Sequence, residues 1–336
     1  MEKLSGLIYR VRNPIIVILL ILIAILSFIF YKSQTFEQIE SSIVPKYHFY
    51  IISQNSVDPF WLEIKRGIEK AAKQFNVAVE FNAPRFNNPD EELKYLDIAL
   101  TSKVDGIITH VSDEASFTEA INQAYEQNIP VVTIENDAKS SNRSAFVGTN
   151  SFLLGKEAGE LMVDATKGKA KIGIIISNDY ALDAASQNLK INGFLSSVNS
   201  FPEMEVVRIE SSKMGILSAE EIMQAILKED PDIDAIYTTN SVDTLGSTQV
   251  IIDSNRVGEI TLVGYGDTED ILRYIRKGVI YGTVMSDPYK MGLESVKALL
   301  DIKELDNTST FIDTGVKAIT MQNLQEYENN RANRAE

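Results

Sequence analysis

The chain has 336 residues, 44% of them hydrophobic and 24% charged, a composition typical of a globular protein of about two domains. Its formal net charge is −15, so its surface repels phosphate backbones and nucleic acid is not expected as a partner. Cysteine is absent and only two histidines occur, which excludes disulfides, thiolate nucleophiles and cysteine-bound metals. We therefore expect neither a metal site nor a cofactor.

The N-terminal segment differs from the rest of the chain. Residues 14–31 carry no charge and as a helix would span about 27 Å, close to the thickness of the bilayer core. Three basic residues precede this run, namely Lys3, Arg10 and Arg12. This asymmetry predicts a single-pass cell-membrane protein with residues 1–13 in the cytoplasm, an anchor at 14–31 and a linker at 32–44 leading to an extracytoplasmic domain. The alternatives are a cleaved signal peptide, although no small-residue cleavage site follows, and a buried apolar helix in a cytoplasmic protein.

After Pro45, short β-branched or aromatic runs alternate with segments of helical periodicity, a pattern typical of βαβ units around parallel sheets. It predicts nine strands, at residues 47–52, 77–81, 104–109, 130–134, 170–176, 205–209, 235–238, 260–264 and 279–284. Nine strands are too many for one small sheet, and the segments at 47–53 and 170–177 are alike. We therefore predict two Rossmann-like lobes, each with its own sheet.

Polar residues directly after the predicted strands are the candidate ligand contacts, because parallel strands end at one edge of their sheet. The loop that starts at Ser53 supplies Asp58, Phe60 and Trp61. An aromatic ring can stack on the apolar face of a sugar while carboxylate and amide groups bind its hydroxyls. The structural alternative is that the two rings belong to the core and that Asp58 caps a helix.

Later strand ends provide further candidates. Glu135 and Asn136 follow the fourth strand, with a solvated acidic turn as the alternative. Asn240 and Asp267 follow two later strands, and both residue types also favour turns. Lys190 lies in a predicted helix, where the default interpretation is a solvated surface lysine.

Sequence motifs of enzymes are not found. The chain has no G-x-S-x-G elbow, no G-x-x-x-x-G-K-[ST] phosphate loop and no H-E-x-x-H pair, and the glycines at 264–266 lack the third glycine of a dinucleotide-binding turn. His48 and His110 have no partner at metal-ligand spacing, so we assign them a structural or surface role. A binding protein is expected rather than an enzyme.

From about residue 47 to residue 321, the sequence resembles the type I periplasmic sugar-binding proteins of the ribose- and xylose-binding kind. The matching segments are SxNxxxPFW at 53–61, DGII at 105–108, NIPVVTIE at 128–135, LGKEAG at 154–159, NGF at 192–194, AIYTTN at 235–240 and VGYGD at 263–267.

The resemblance implies two lobes that close on a small ligand by hinge motion. Three crossovers are expected, near Thr149, Ser286 and Asp313. The expected divisions are 45–149 plus 286–312 for lobe 1, 150–285 plus 313–328 for lobe 2, and 329–336 for a tail.

The resemblance also implies a set of ligand contacts. Asn136 falls where the family has an arginine, Lys190 where it has a second arginine, and the family aspartate falls on Gly266, one residue before Asp267. The implied ligand-binding residues are Asp58, Phe60, Trp61, Glu135, Asn136, Lys190, Met214, Asn240, Asp267 and Ser286.

The N-terminal anchor is similar to that of family members that pass ligand occupancy to a membrane sensor histidine kinase. The resemblance therefore implies a membrane-tethered receptor for a monosaccharide, with a pentose such as D-xylose favoured. The alternatives are the substrate-binding component of an ABC sugar importer working with its permease, a receptor for a non-sugar signal, and an enzyme on the same fold. The expected contacts are the sugar, the kinase and, through residues 14–31, the lipid bilayer; a homodimer is a further candidate assembly.

Overall fold

The computed structural model describes residues 21–28, 44–177, 183–212 and 215–335. Within these ranges, no helix combines the length and the apolar character needed to cross a bilayer. Residues 21–28 are helical. The rest of the predicted anchor, the candidate ligand contact Met214 and most of the linker lie outside the described residues.

Strands and helices alternate along the described chain. The strands are β1 (His48–Ile52), β2 (Ala78–Asn82), β3 (Gly106–Thr109), β4 (Val131–Ile134), β5 (Ala145–Gly148), β6 (Lys169–Ser177), β7 (Glu203–Ser212), β8 (Ala235–Thr238), β9 (Thr261–Tyr265), β10 (Gly282–Ser286), β11 (Phe311–Asp313) and β12 (Val316–Thr320). The helices are α1 (Pro59–Phe75), α2 (Pro89–Ser102), α3 (Glu114–Glu126), α4 (Ser151–Thr166), α5 (Asp183–Val198), α6 (Ile216–Glu229), α7 (Ser241–Asp253), α8 (Glu269–Arg276), α9 (Pro288–Leu305) and α10 (Leu324–Ala335).

The strands form two sheets, which confirms the predicted two-lobed α/β fold. The order is β11-β5-β4-β3-β1-β2 in lobe 1 and β12-β10-β9-β8-β6-β7 in lobe 2. The paired strands run parallel except that β12 is antiparallel to β10. In both sheets the strand order reverses next to the first strand of the lobe, beside β1 and β6. Ligands of open α/β sheets bind outside the carboxyl ends of the strands at such a reversal.

The core of lobe 2 covers both faces of its sheet. Neighbouring residues of a strand point to opposite faces, so Ile174 and Tyr237 pack with side chains of α4 and α5, whereas Ile175 and Ile236 pack with side chains of α6, α7 and α8. This two-sided burial explains why the strands are continuous runs of β-branched residues rather than alternating patterns.

The chain crosses between the sheets in three places, after β5, after β10 and between β11 and β12. Hydrogen bonds tie these crossovers together. The Thr314 N–H donates to the Gly148 carbonyl (2.9 Å), and the hydroxyls of Thr149 and Thr314 are 3.1 Å apart. The Lys317 ammonium lies 2.5 Å from the Asp287 carboxylate.

All nine predicted strands are present, with ends that shift by at most three residues. The sequence missed β5, β11 and β12, which have three to five residues each and lie at or next to a sheet edge. It also missed α10, which extends through most of the predicted tail at 329–336.

Candidate functional site

The loop between β1 and α1 is organised by Asn55. The Asn55 side chain accepts hydrogen bonds from the N–H groups of Val57 (3.2 Å) and Asp58 (2.8 Å) and donates one to Asn87 (2.8 Å). Asp58 is exposed, and its carboxylate accepts a hydrogen bond from the Phe60 N–H (2.9 Å). In this structure Asp58 therefore supports the start of α1, the structural alternative considered from the sequence.

The two aromatic residues of this loop differ in burial. Trp61 is only 2% exposed, its indole N–H donates to the Gln54 side chain (3.3 Å), and its ring meets the His110 ring edge-to-face at 5.2 Å. Phe60 is half-buried and meets Trp61 edge-to-face at 5.6 Å. Phe60 thus keeps surface on which a ligand can stack, whereas Trp61 supports it from the core.

A buried chain of hydrogen bonds lies beside Trp61. The Glu92 carboxylate accepts from the Ser112 hydroxyl (2.6 Å) and lies 2.9 Å from His110 Nδ1. On the other side of the ring, His110 Nε2 lies 3.3 Å from Asn136 Nδ2. Sequence reasoning missed Glu92 because it lies on another element, 18 residues before the histidine. The only local signal was a histidine at the carboxyl end of a strand.

Glu135 directly follows β4 and has φ = 67°, in the left-handed region. Its N–H donates to the Val147 carbonyl (3.1 Å), and its side chain is partly buried. The other positive-φ residues besides glycine in the described chain follow helices, namely Asn76, Lys103, Asn128, Lys167, Asn255 and Asp306. A strained residue at a strand end, where ligand atoms gather, is a candidate binding residue.

In lobe 2, Lys190, Tyr265 and Ser286 come together. The Lys190 ammonium lies 5.4 Å from the centre of the Tyr265 ring, and the Tyr265 hydroxyl is 3.1 Å from the Ser286 hydroxyl. Desolvation raises the pKa of Tyr265 far above its usual range, and the charges of Glu135 and Asp267 raise this pKa further. The phenol is therefore neutral at pH 7. Tyr265 was not among the sequence candidates, although it lies in the VGYGD segment.

Two predicted contacts have hydrogen-bond partners within the protein. The Asn240 side chain accepts from the Asp243 N–H (2.7 Å) and donates to its carboxylate (2.8 Å), so Asn240 caps α7. The Asp267 carboxylate accepts from the Tyr327 hydroxyl (2.6 Å), and the Arg331 side chain donates to the Asp267 carbonyl (2.9 Å). Asp267 thus anchors α10.

Glu135 and Asn136 line a cavity of about 390 Å³ that reaches from lobe 1 to the first turns of α4 and α5. Its walls combine polar groups with apolar surface, including Asn150, Ser186, Leu189 and Phe311. Mixed walls of this kind are typical of small-molecule sites.

The comparison with known proteins agrees with this architecture. A family model described as a periplasmic binding protein domain matches residues 49–307. The chain belongs to the type I periplasmic sugar-binding protein family. Family members similar to it include the D-allose-binding periplasmic protein of Escherichia coli K12, 21% identical over 262 residues that cover 76% of this chain and 84% of the relative. The ribose import binding protein RbsB of Bacillus subtilis is 23% identical over 245 residues, covering 73% and 78%.

Some solved structures are more similar in sequence, at above 30% identity. GanP, a glucose-galactose binding protein from Geobacillus stearothermophilus, is 35% identical, covers 83% of this chain and 98% of its own, and has a TM-score of 0.75. A XylFII–LytSN complex contains a chain that is 32% identical, with coverages of 82% and 98% and a TM-score of 0.70. These family members are binding proteins and not enzymes, as the absence of catalytic motifs led us to expect.

Proposed function

We propose that this protein is a membrane-tethered extracytoplasmic receptor for a monosaccharide, with a pentose such as D-xylose favoured, and that it signals to a membrane sensor histidine kinase. The observation that carries the sugar-binding part is the pairing of polar groups from both lobes. Glu135 and Asn136 of lobe 1 line the same cavity as Ser151 of α4 and Ser186 of α5 in lobe 2. A small polyol that contacts both lobes would stabilise the form in which they are close.

The chemistry of these side chains suits a sugar. Glu135 accepts hydrogen bonds, Lys190 and Tyr265 donate them, and the half-buried Phe60 offers a ring face. Charge-assisted hydrogen bonds at a ring of hydroxyls and an aromatic contact with the C–H face together bind a monosaccharide.

Two observations bear on the partner. A relative, XylFII, forms a complex with a second protein, LytSN, which supports a receptor that works through a protein partner. The RbsB relatives are import binding proteins, which supports the second candidate, a receptor that delivers sugar to an ABC permease. The charge-free run at 14–31 favours the tethered receptor, because a fixed receptor meets a membrane partner at high local concentration.

The ligand is tested by calorimetric titration of the full-length protein in detergent against pentoses, hexoses and furanose sugars. We expect a pentose to bind most tightly and to be recovered unchanged. Turnover of the sugar would favour an enzyme. If none of the tested sugars binds, the proposal of a sugar receptor is contradicted.

The candidate partners are the membrane proteins encoded by genes next to the gene for this chain. Each is tested for co-purification with the receptor in the presence of the sugar. A sensor kinase is the expected result. A permease in its place would support the importer.

A further inference from the structure

The buried pair of Glu92 and His110 stands directly behind Asn136, a candidate ligand contact. We propose that Glu92 and His110 are positioning residues that fix the Asn136 amide with its oxygen toward the ligand. This point of the site would then accept a hydrogen bond from a sugar hydroxyl and would not donate one. The inference rests on the proposed function for its ligand, but the protonation pattern that it requires is a property of the protein alone.

The first step is the charge on Glu92. This residue is fully buried and lies in the first turn of α2, where the helix dipole favours a negative charge. The Ser112 hydroxyl donates to one carboxylate oxygen (2.6 Å), and the other oxygen lies 2.9 Å from His110 Nδ1. An ionised carboxylate can only accept hydrogen bonds.

The second step is the tautomer of His110. Because the carboxylate accepts, Nδ1 carries the proton, and in the neutral ring Nε2 is then an acceptor. The ring itself is 1% exposed and is held against the edge of Trp61, with an angle of 77° between the two planes. Rotation to exchange the two nitrogens would break the contact with Glu92.

The third step is the orientation of Asn136. Its Nδ2 lies 3.3 Å from His110 Nε2, and only the NH2 group of the amide can donate to that nitrogen. The amide oxygen therefore lies on the other branch of the side chain and remains available as an acceptor. This assignment follows from the proton network, since nitrogen and oxygen of an amide are otherwise easily exchanged.

The consequence concerns the ligand. Asn136 is next to Glu135, whose carboxylate also only accepts while it is ionised. Two neighbouring acceptors select a ligand that presents two free hydroxyl donors, such as the adjacent hydroxyls of an unsubstituted sugar. An arginine at position 136 would impose the opposite choice, because a guanidinium only donates. A sugar whose hydroxyl at this point is replaced by fluorine or a methoxy group would lose the contact.

The tautomer is measured by nitrogen NMR on full-length protein labelled with [15N]histidine. The chain has two histidines, and the substitution His48→Gln removes the exposed one, so the remaining signals belong to His110. We expect a protonated Nδ1 and an unprotonated Nε2 at pH 7. The Nε2–H tautomer or a doubly protonated ring would overturn the proposal, whatever the sugar panel shows.

Two variants then test the coupling. In Glu92→Leu, which removes the acceptor at Nδ1, we expect His110 to lose its single tautomer. In His110→Phe, which keeps an aromatic ring against Trp61, we expect D-xylose affinity to fall about tenfold, the loss typical of one hydrogen bond at a binding site. His48→Gln should bind as the wild type does. Wild-type affinity in a folded His110→Phe would contradict the positioning role.

The specificity is read with the monofluoro analogues of D-xylose. We expect at least one analogue to bind the wild type about tenfold more weakly than D-xylose does. In His110→Phe, the affinities for this analogue and for D-xylose should be nearly equal. Equal discrimination in both proteins would contradict the inferred acceptor. If the wild type binds no sugar at all, the proposed function fails, and the NMR result alone decides the proposal on Asn136.

Discussion

At the scale of single residues, the candidate site depends on the backbone conformation of Glu135 and on the contact between Asn136 and His110. Glu135 holds a left-handed backbone directly after β4, a position that L-residues occupy at a cost of about 1–2 kcal/mol. Because its N–H is bonded to Val147, the surrounding sheet fixes this conformation. Strain at such a position makes Glu135 a candidate for a functional role.

The first prediction separates these two roles of Glu135. Glu135→Gly relieves the strain and should raise the free energy of unfolding by up to about 1 kcal/mol while abolishing the carboxylate contact. Glu135→Gln keeps the shape and should weaken sugar binding by about 1.5–3 kcal/mol. Calorimetry and chemical denaturation measure the two effects.

The matched control is Lys103→Gly, since Lys103 has φ = 52° at the end of α2, away from the candidate site. It should gain stability without any change in affinity. Unchanged sugar affinity in Glu135→Gln would show that Glu135 belongs to a solvated acidic turn and does not contact the ligand.

The second prediction concerns the two rings of the loop before α1. Trp61→Ala should lower the free energy of unfolding by about 3–5 kcal/mol, because the ring is buried against His110. Phe60→Ala should cost less stability but should weaken sugar binding, because its half-buried ring is the exposed partner of the pair. Thermal unfolding and calorimetry on both variants check this. A Trp61→Ala protein that keeps wild-type stability and loses only affinity would instead make Trp61 the stacking platform.

At the scale of elements, each lobe contains a pair of helices in backbone contact through glycines. In lobe 1, a Cβ atom on Gly67 of α1 would lie 2.0 Å from the Tyr289 carbonyl of α9, and one on Gly292 would lie 2.0 Å from the Ile64 carbonyl. In lobe 2, a Cβ atom on Gly155 of α4 would lie 1.8 Å from the carbonyl of Lys190 in α5. These two helix contacts position α1, which carries Trp61, and α5, which carries Lys190.

The third prediction tests whether this helix contact positions Lys190. Gly155→Ala must push α4 and α5 apart, so we expect a stability loss of about 1–3 kcal/mol together with weaker sugar binding. The control is Glu160→Ala on the exposed face of the same helix, which should change neither property appreciably. Denaturation and calorimetry provide the measurements. Lost stability with full affinity would show that Lys190 does not depend on this contact.

At the scale of the whole molecule, the two sheets are joined by three crossovers. A ligand that binds both lobes more tightly in a closed form would stabilise that form. The free energy by which a ligand stabilises the closed form is limited to the difference between its binding free energies for the closed and open forms. Signalling would follow if the closed form offers its partner a surface that the open form lacks.

The fourth prediction concerns the tether. The full-length protein should remain in the membrane fraction after alkali extraction, and protease added outside should remove the chain beyond about residue 32. A variant in which a cleavable signal replaces residues 1–44 should still bind sugar but should signal poorly, because the local concentration at the partner is lost. A reporter gene measures the signal. Full signalling by the released receptor would weaken the case for a dedicated membrane partner.

The fifth prediction is a loss of stability at high pH. Burial raises the pKa of Tyr237, Tyr265 and Tyr327, so the folded protein holds these phenolic protons more tightly than the unfolded chain, in which tyrosine ionises near pH 10. Their contribution is complete below about pH 10 and is lost as the pH rises above it. Denaturant unfolding between pH 7 and 11 should therefore show a flat region followed by a steep fall.

Tyr237→Phe is the variant for this test. Its hydroxyl is buried with no hydrogen-bond partner in the described chain, while its ring stacks on Phe194 at 4.6 Å. The variant should be about 1 kcal/mol more stable at pH 7, because a buried unsatisfied hydroxyl is removed, and it should lose less stability above pH 10. The same alkaline slope in both proteins would contradict the assignment.

Local sequence patterns were sufficient to predict the two-lobed fold and nine of its strands. Burial on both faces makes a strand such as β6 a continuous β-branched run, and helices that cover a sheet repeat their apolar residues every three or four positions. Short edge strands such as β11 carry too few residues for a period to show. Strand ends predicted Glu135 and Asn136 as site residues, because parallel strands share one carboxyl edge, whereas Ser286 came only from the family resemblance.

What the sequence by itself determined is therefore the two-lobed fold, most of its elements and the edge at which a ligand is expected to bind. Only the tertiary structure showed which polar residues at that edge also bond within the protein. Asp58 and Asn240 support helix starts, whereas Asn136 is held by His110 and, behind it, by Glu92. Periodicity depends on neighbours within a few positions, but a hydrogen bond between residues 18 or 26 positions apart depends on the order in which the strands and helices pack.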